Sequence, residues 1–141
     1  MTGYRPLLAG LALALVASQA GAFRAENGLD VNPLPGPATF EVIQSRGAGP
    51  MQFWCAAADY ARRELNGGAS DRVVLTEPRH AAATDPRREG VSFRLVAREA
   101  RPETTGRGFA TVREAGETYS VSMAENLCRV DQPDRGDTWT R

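Results

Sequence analysis

The chain has 141 residues, and its 17 basic residues, all arginine, balance 17 acidic residues to a formal net charge of zero. This length fits one domain better than several. A balanced charge gives no long-range field that would attract nucleic acid or an anionic membrane surface, so we expect neither as a partner.

The first 22 residues have the pattern of a secretory signal peptide. Arg5 precedes an apolar run over residues 7–17, and the small residues Ala20, Gly21 and Ala22 follow. We expect cleavage after Ala22. The apolar run is shorter than the ~20 residues that a membrane-spanning helix needs. The sequence thus predicts a periplasmic or secreted protein that leaves the membrane once cleaved, with an uncleaved N-terminal anchor as the alternative.

The cysteine content points to a single disulfide. Cys55 and Cys128 are the two cysteines of the chain. An exported protein reaches an oxidising compartment, where two cysteines favour a bridge. The bridge would close a loop of about 74 residues and could stabilise the fold by about 4 kcal/mol.

The first half of the mature chain predicts an arm, a strand and a helix. Residues 23–38 carry alternating prolines, which favour an extended arm outside any central strand. Residues 39–45 read as a strand. Pro50 suits the first position of a helix that ends before Gly67. Its apolar residues form one stripe that should face the core, namely Met51, Trp54, Ala58, Ala61 and Leu65.

The second half predicts strands at 72–76, 90–97, 108–113 and 118–123, with a hairpin turn at 115–117. Residues 124–129 read as a short helical turn that carries Cys128 back to the helix. Residues 131–141 are polar and should form a flexible tail. We therefore expect an α+β domain over residues 39–130, with one main helix on a four- to five-stranded, mainly antiparallel sheet whose outer face is wet.

One hypothesis for catalysis rests on Cys55 and His80. A cysteine near a helix start is favoured as a thiolate, and a histidine oriented by an acid such as Asp85 could serve as its base. This arrangement predicts a thiol hydrolase. The opposing interpretation places His80 in a loop and Cys55 in the disulfide, which leaves no nucleophile. We favour the second interpretation, and so a non-enzymatic protein.

A second hypothesis concerns partner binding. Phe53 and Tyr60 lie on the side of the helix nearly opposite Trp54. If the sheet covers the Trp54 side, these rings could form an exposed patch that binds a partner. The alternative is that the proline-rich arm or the C-terminal segment covers them. One histidine and two bridged cysteines supply no metal site, and we expect no cofactor.

The segment from Gly47 to Ala61, Gly-Ala-Gly-Pro-Met-Gln-Phe-Trp-Cys-Ala-Ala-Ala-Asp-Tyr-Ala, resembles a group of small exported alphaproteobacterial proteins of uncharacterised activity. The likeness extends over residues 39–129. It implies that Cys55 and Cys128 pair as a structural feature, and it implies no activity. The sequence as a whole predicts a non-catalytic binding or accessory protein of the cell envelope, whose partner is an envelope protein or a small ligand.

Overall fold

A computed structural model describes residues 21–100 and 109–130 of the protein. The elements in chain order are β1 (Phe23–Arg24), β2 (Asp30–Pro33), β3 (Thr39–Ile43), α1 (Pro50–Arg63), β4 (Arg72–Ala81), β5 (Glu89–Val96), a 3₁₀ turn (Arg98–Ala100), β6 (Thr118–Ser120) and α2 (Val121–Val130). In this part of the chain two helices lie on a six-stranded antiparallel sheet of order β1-β2-β3-β5-β4-β6. The predicted α+β class is confirmed, with more strands than expected.

The core lies between the central strands and α1. Phe40 on β3 pairs with Phe93 on β5, and the alternate residues along both strands are buried on the same face. Trp54 of α1 packs edge-on against Phe93, with ring centroids 5.0 Å apart. The alternating pattern that predicted these strands thus places their apolar side chains under the helix.

Helix α1 begins at Pro50, as predicted, and ends at Arg63. The amide of Gly49 donates to the side-chain oxygen of Gln52, which caps the first turn. Residues 53–61 are all buried, so the helix is enclosed on every side rather than along one stripe. The predicted stripe covers only part of this buried surface, because α2 and the N-terminal arm pack on the rest.

The predicted arm contributes to the sheet. Strand β2 pairs with β3, and β1 covers only the first part of β2, up to the pair Phe23–Val31. Pro33 ends β2 beyond the reach of β1, so its missing N–H costs no ladder hydrogen bond on that side. Most of the predicted signal peptide (1–22) and the whole predicted tail (131–141) lie outside the described residues.

Strand β4 extends to Ala81, beyond the predicted end at residue 76. The prediction that His80 lies in a loop is therefore wrong. Pro78 suggested a break, but the pairing with β5 shifts register on either side of Glu77, and such irregularities admit a proline.

The predicted strand at 118–123 ends at Ser120, and α2 begins at the next residue. The hydroxyl of Ser120 accepts the amide of Met123 at 3.2 Å, which is the hydrogen bond of an N-cap. The buried residues Val121, Ala124 and Cys128 follow helical spacing. The alternation of apolar and polar residues over 118–123 did not distinguish a continuous strand from a short strand followed by a helix.

Residues 109–113 form no strand, contrary to the sequence prediction. This segment crosses α1, where the indole N–H of Trp54 donates to the carbonyl of Thr111 at 2.7 Å. The predicted hairpin at 115–117 is absent because residues 109–113 form no strand. The amide of Gly116 donates instead to the carbonyl of Leu75 on β4.

Candidate functional site

The predicted disulfide is present between Cys55 on α1 and Cys128 on α2. Cys55 is fully buried and Cys128 is 8% exposed. In this state neither sulfur is a thiolate, so Cys55 offers no nucleophile. A carboxylate oxygen of Glu26 lies 4.0 Å from the Cys55 sulfur. These three residues bring potential metal ligands together, but the two sulfurs are bonded to each other.

His80 belongs to a different environment from the one proposed. Its Nδ1 lies 2.7 Å from the carbonyl of Pro78, and its Nε2 lies 3.4 Å from the hydroxyl of Ser92. The nearest carboxylates belong to Glu77, at 3.6 Å, and Glu41, at 3.7 Å. Asp85, the acid suggested from sequence, accepts the amide of Arg87 instead.

Glu41 is a buried carboxylate that the sequence analysis missed. It lies on the outer face of β3, which alternation predicts to be wet, yet it is fully buried. The loop between β4 and β5 folds over it and donates the amides of Ala83 (3.0 Å) and Thr84 (2.7 Å) together with the Thr84 hydroxyl. Among the described residues no buried side-chain nitrogen or oxygen lacks a partner. The Glu41 network is therefore saturated by the protein's own chain and holds the loop in place.

Phe53 and Tyr60 form no exposed patch. Phe53 is fully buried, with the guanidinium of Arg79 4.8 Å from its ring centre. Tyr60 is 7% exposed and lies between Phe40 and Phe23, at ring separations of 4.6 and 5.4 Å. The arm thus covers Tyr60, as the alternative interpretation held. Burial, followed by the nearby charge of Glu64, raises the pKa of the Tyr60 phenol.

An apolar groove of about 400 Å³ opens beside the start of α1. Three separate parts of the chain form it: the first turn of α1, residues 109–110, and the β6–α2 junction. Its main side chains are Pro50, Met51, Phe109, Tyr119, Met123 and Leu127. We refer to this set as the apolar groove.

The groove holds unusually exposed apolar side chains. Phe109 is 96% exposed and Met123 is 57% exposed. Across ranges 21–100 and 109–130 only one other large apolar residue, Val130, is exposed. Met123 and Leu127 are one turn apart on α2, where Met123 is exposed and Leu127 is half-buried against the core. Exposed apolar residues gathered in a concave surface are typical of binding sites.

A second depression, of about 430 Å³, lies beside the groove and shares Pro50 with it. Its other lining residues are Pro78, Arg79, Val112 and Arg113. Arg79 is held against the Phe53 ring and also bonds the side chain of Gln44. We refer to this region as the basic depression.

Comparison with known proteins gives no assignment. No protein-family model matches the chain, and no curated protein or solved structure matches it.

In the described part of the chain, neither helix has the length and apolar character that crossing a bilayer requires.

Proposed function

We propose that the protein is an exported, non-catalytic domain of the cell envelope, stapled by its disulfide, that binds an apolar ligand in the groove. The groove is the observation that carries this proposal. Two of the three exposed large apolar side chains of the described residues, Phe109 and Met123, line it. Leaving such side chains in water costs free energy that a bound apolar group would recover.

The construction of the groove supports a binding role. Its wall at α1 is fixed by the buried helix, and its wall at α2 is tied to α1 by the Cys55–Cys128 bond. Its rim carries Met51 and Met123, whose unbranched side chains adapt to different apolar shapes. Fixed walls with an adaptable rim suit a ligand that is recognised by its apolar surface rather than by specific polar groups.

The proposal that the protein is exported rests on the signal-peptide pattern at residues 1–22 and on the Cys55–Cys128 disulfide. The first strand begins at Phe23, the residue that follows the predicted cleavage site. A buried disulfide between two helices also fits an oxidising compartment. A non-catalytic role is favoured because Cys55, the nucleophile of the alternative hydrolase, is bonded to Cys128.

Groove binding can be tested with a neutral, apolar fluorophore. The full chain is expressed in a bacterial host, and the protein recovered from the periplasm is titrated with N-phenylnaphthylamine. We expect saturable fluorescence enhancement, weakened strongly in Met123→Glu because a charge then enters the groove. Val130→Glu is the matched control, since Val130 is also exposed on α2 and lies outside the groove.

Circular dichroism and thermal melting establish that both variants fold. An absence of saturable binding by the wild-type protein, or equal losses in the two variants, would overturn groove binding. Export is tested separately by mass spectrometry of the periplasmic protein. We expect a chain that starts at Phe23 and has lost two hydrogens to the disulfide.

A further inference from the structure

We infer that the apolar groove and the basic depression form one continuous site, and that its ligand is a single-chain anionic amphiphile of the fatty-acid class. This inference rests on the proposed groove binding and specifies its ligand. The apolar chain occupies the groove, and the anionic head lies at Arg79 and Arg113.

The two cavities are adjacent parts of one surface. Pro50 lines both. The segment 109–113 also borders both, since Phe109 and Ala110 line the groove while Val112 and Arg113 line the depression. The hydrogen bond from the Trp54 indole to the Thr111 carbonyl fixes this segment between them. A ligand that passes over Pro50 therefore reaches both cavities.

The charge of the depression specifies the head group. Arg79 and Arg113 are its charged lining residues, and no acidic residue lines it. Within the described ranges neither guanidinium forms an ion pair with a carboxylate. The nearby Glu117 carboxylate is engaged by the Thr111 hydroxyl, at 2.5 Å, and by the amide of Arg113, at 3.0 Å. Two guanidinium groups beside an apolar cavity complement a carboxylate attached to an alkyl chain.

Arg79 is partly organised before any ligand binds. Its guanidinium lies over the Phe53 ring, and its Nη2 is 3.4 Å from the carbonyl of Ala48. An ordered arginine loses less conformational entropy when it pairs with an anion. Arg113 is exposed, and its side chain can turn toward the same head group.

The test compares three probes with the same alkyl chain and different heads: dodecanoate, dodecanol and dodecyltrimethylammonium. Each displaces N-phenylnaphthylamine from the periplasmic protein at concentrations below micelle formation. We expect dodecanoate to bind about two- to fivefold more tightly than dodecanol, the gain of a partly exposed ion pair. The cationic probe should bind most weakly, and added salt should reduce the preference for dodecanoate.

Arg113→Met should remove most of this preference, measured as the ratio of the dodecanoate affinity to the dodecanol affinity. The matched control is Arg87→Met, because the Arg87 side chain is 92% exposed in the loop between β4 and β5 and lies outside both cavities. Equal affinity for the three probes would overturn the anionic head group and leave groove binding intact. A preference for dodecanoate that survives Arg113→Met would also overturn it, and failure of every apolar probe would overturn groove binding as well.

Discussion

The Glu41 carboxylate accepts the amide of Thr84, which lies 43 residues later in the chain, at 2.7 Å. This contact crosses from β3 to the loop that follows β4, on the side of the sheet opposite α1. The contact holds the loop between β4 and β5 against the outer face of the sheet, which strand alternation alone predicts to be exposed to solvent. The sheet is therefore covered on both faces at this position.

Glu41→Ala should destabilise the protein by about 2–4 kcal/mol, because it removes a buried carboxylate that accepts three hydrogen bonds from the loop. The affected donors are the amides of Ala83 and Thr84 and the Thr84 hydroxyl. Urea unfolding measures the change. Glu89→Ala is the matched control, since Glu89 is an exposed acid on β5 and should cost little. Similar losses for the two variants would contradict the role of Glu41.

Removal of the disulfide should cost about 4 kcal/mol, because the bond closes a long loop in the unfolded chain. The bonded residues are 73 positions apart. Unfolding of the oxidised wild type is compared with that of the double variant Cys55→Ala/Cys128→Ala. Thiol titration of the denatured, unreduced wild type should detect no free sulfhydryl. A double variant as stable as the wild type would contradict the stapling role.

Loss of the cap on α2 should produce a smaller effect. Ser120→Ala removes the hydroxyl that accepts the amide of Met123, and we expect a cost of about 1 kcal/mol. Ser70→Ala serves as the control because Ser70 is exposed and lies outside both helices. Thermal melting of the two variants checks this. Equal melting temperatures would show that Ser120 does not limit the stability of α2.

Stability should also fall at alkaline pH. Burial, and then the charge of a neighbouring glutamate, raises the pKa of Tyr60 and of Tyr119 above the usual value of about 10. The folded state thus holds these protons more tightly than the unfolded state does. Their contribution is fully present below about pH 10 and is lost as the pH rises through the folded-state pKa.

Ultraviolet absorbance of tyrosinate follows this titration directly. Tyr60→Phe removes one of the two phenols with a raised pKa and should retain more of its neutral-pH stability at high pH than the wild type does. A wild-type titration midpoint at the value of free tyrosine would contradict the raised pKa of both phenols.

The sequence predicted the parts of the fold that depend on local pattern. Pro50 marked the start of α1 because proline suits a first helical turn. Alternation of apolar and polar residues along 90–97 identified β5, because successive side chains of a strand point to opposite faces of the sheet. Local pattern failed at Ser120, where the same residues fit a strand and a capped helix, and packing against α1 decides for the helix.

The candidate site was less accessible to sequence analysis. Met51, Phe109 and Met123 are far apart in the chain, and only tertiary packing brings them to one groove. Phe109 was expected to belong to a strand, and its exposure becomes visible only once residues 109–113 are seen to cross α1. For Phe53 and Tyr60 the sequence left open whether the rings are exposed or covered by the arm, and the packing of Phe23 on Tyr60 decides for the covered arrangement.

The central residues of α1 are enclosed by two segments that lie far apart in the chain. The sides of α1 are covered by β1 (Phe23–Arg24) and by α2 (Val121–Val130). The core around α1 is complete only once β1 and α2 have both been synthesised. A chain whose core stays open until α2 emerges suits translocation in an unfolded state, which the proposed export requires.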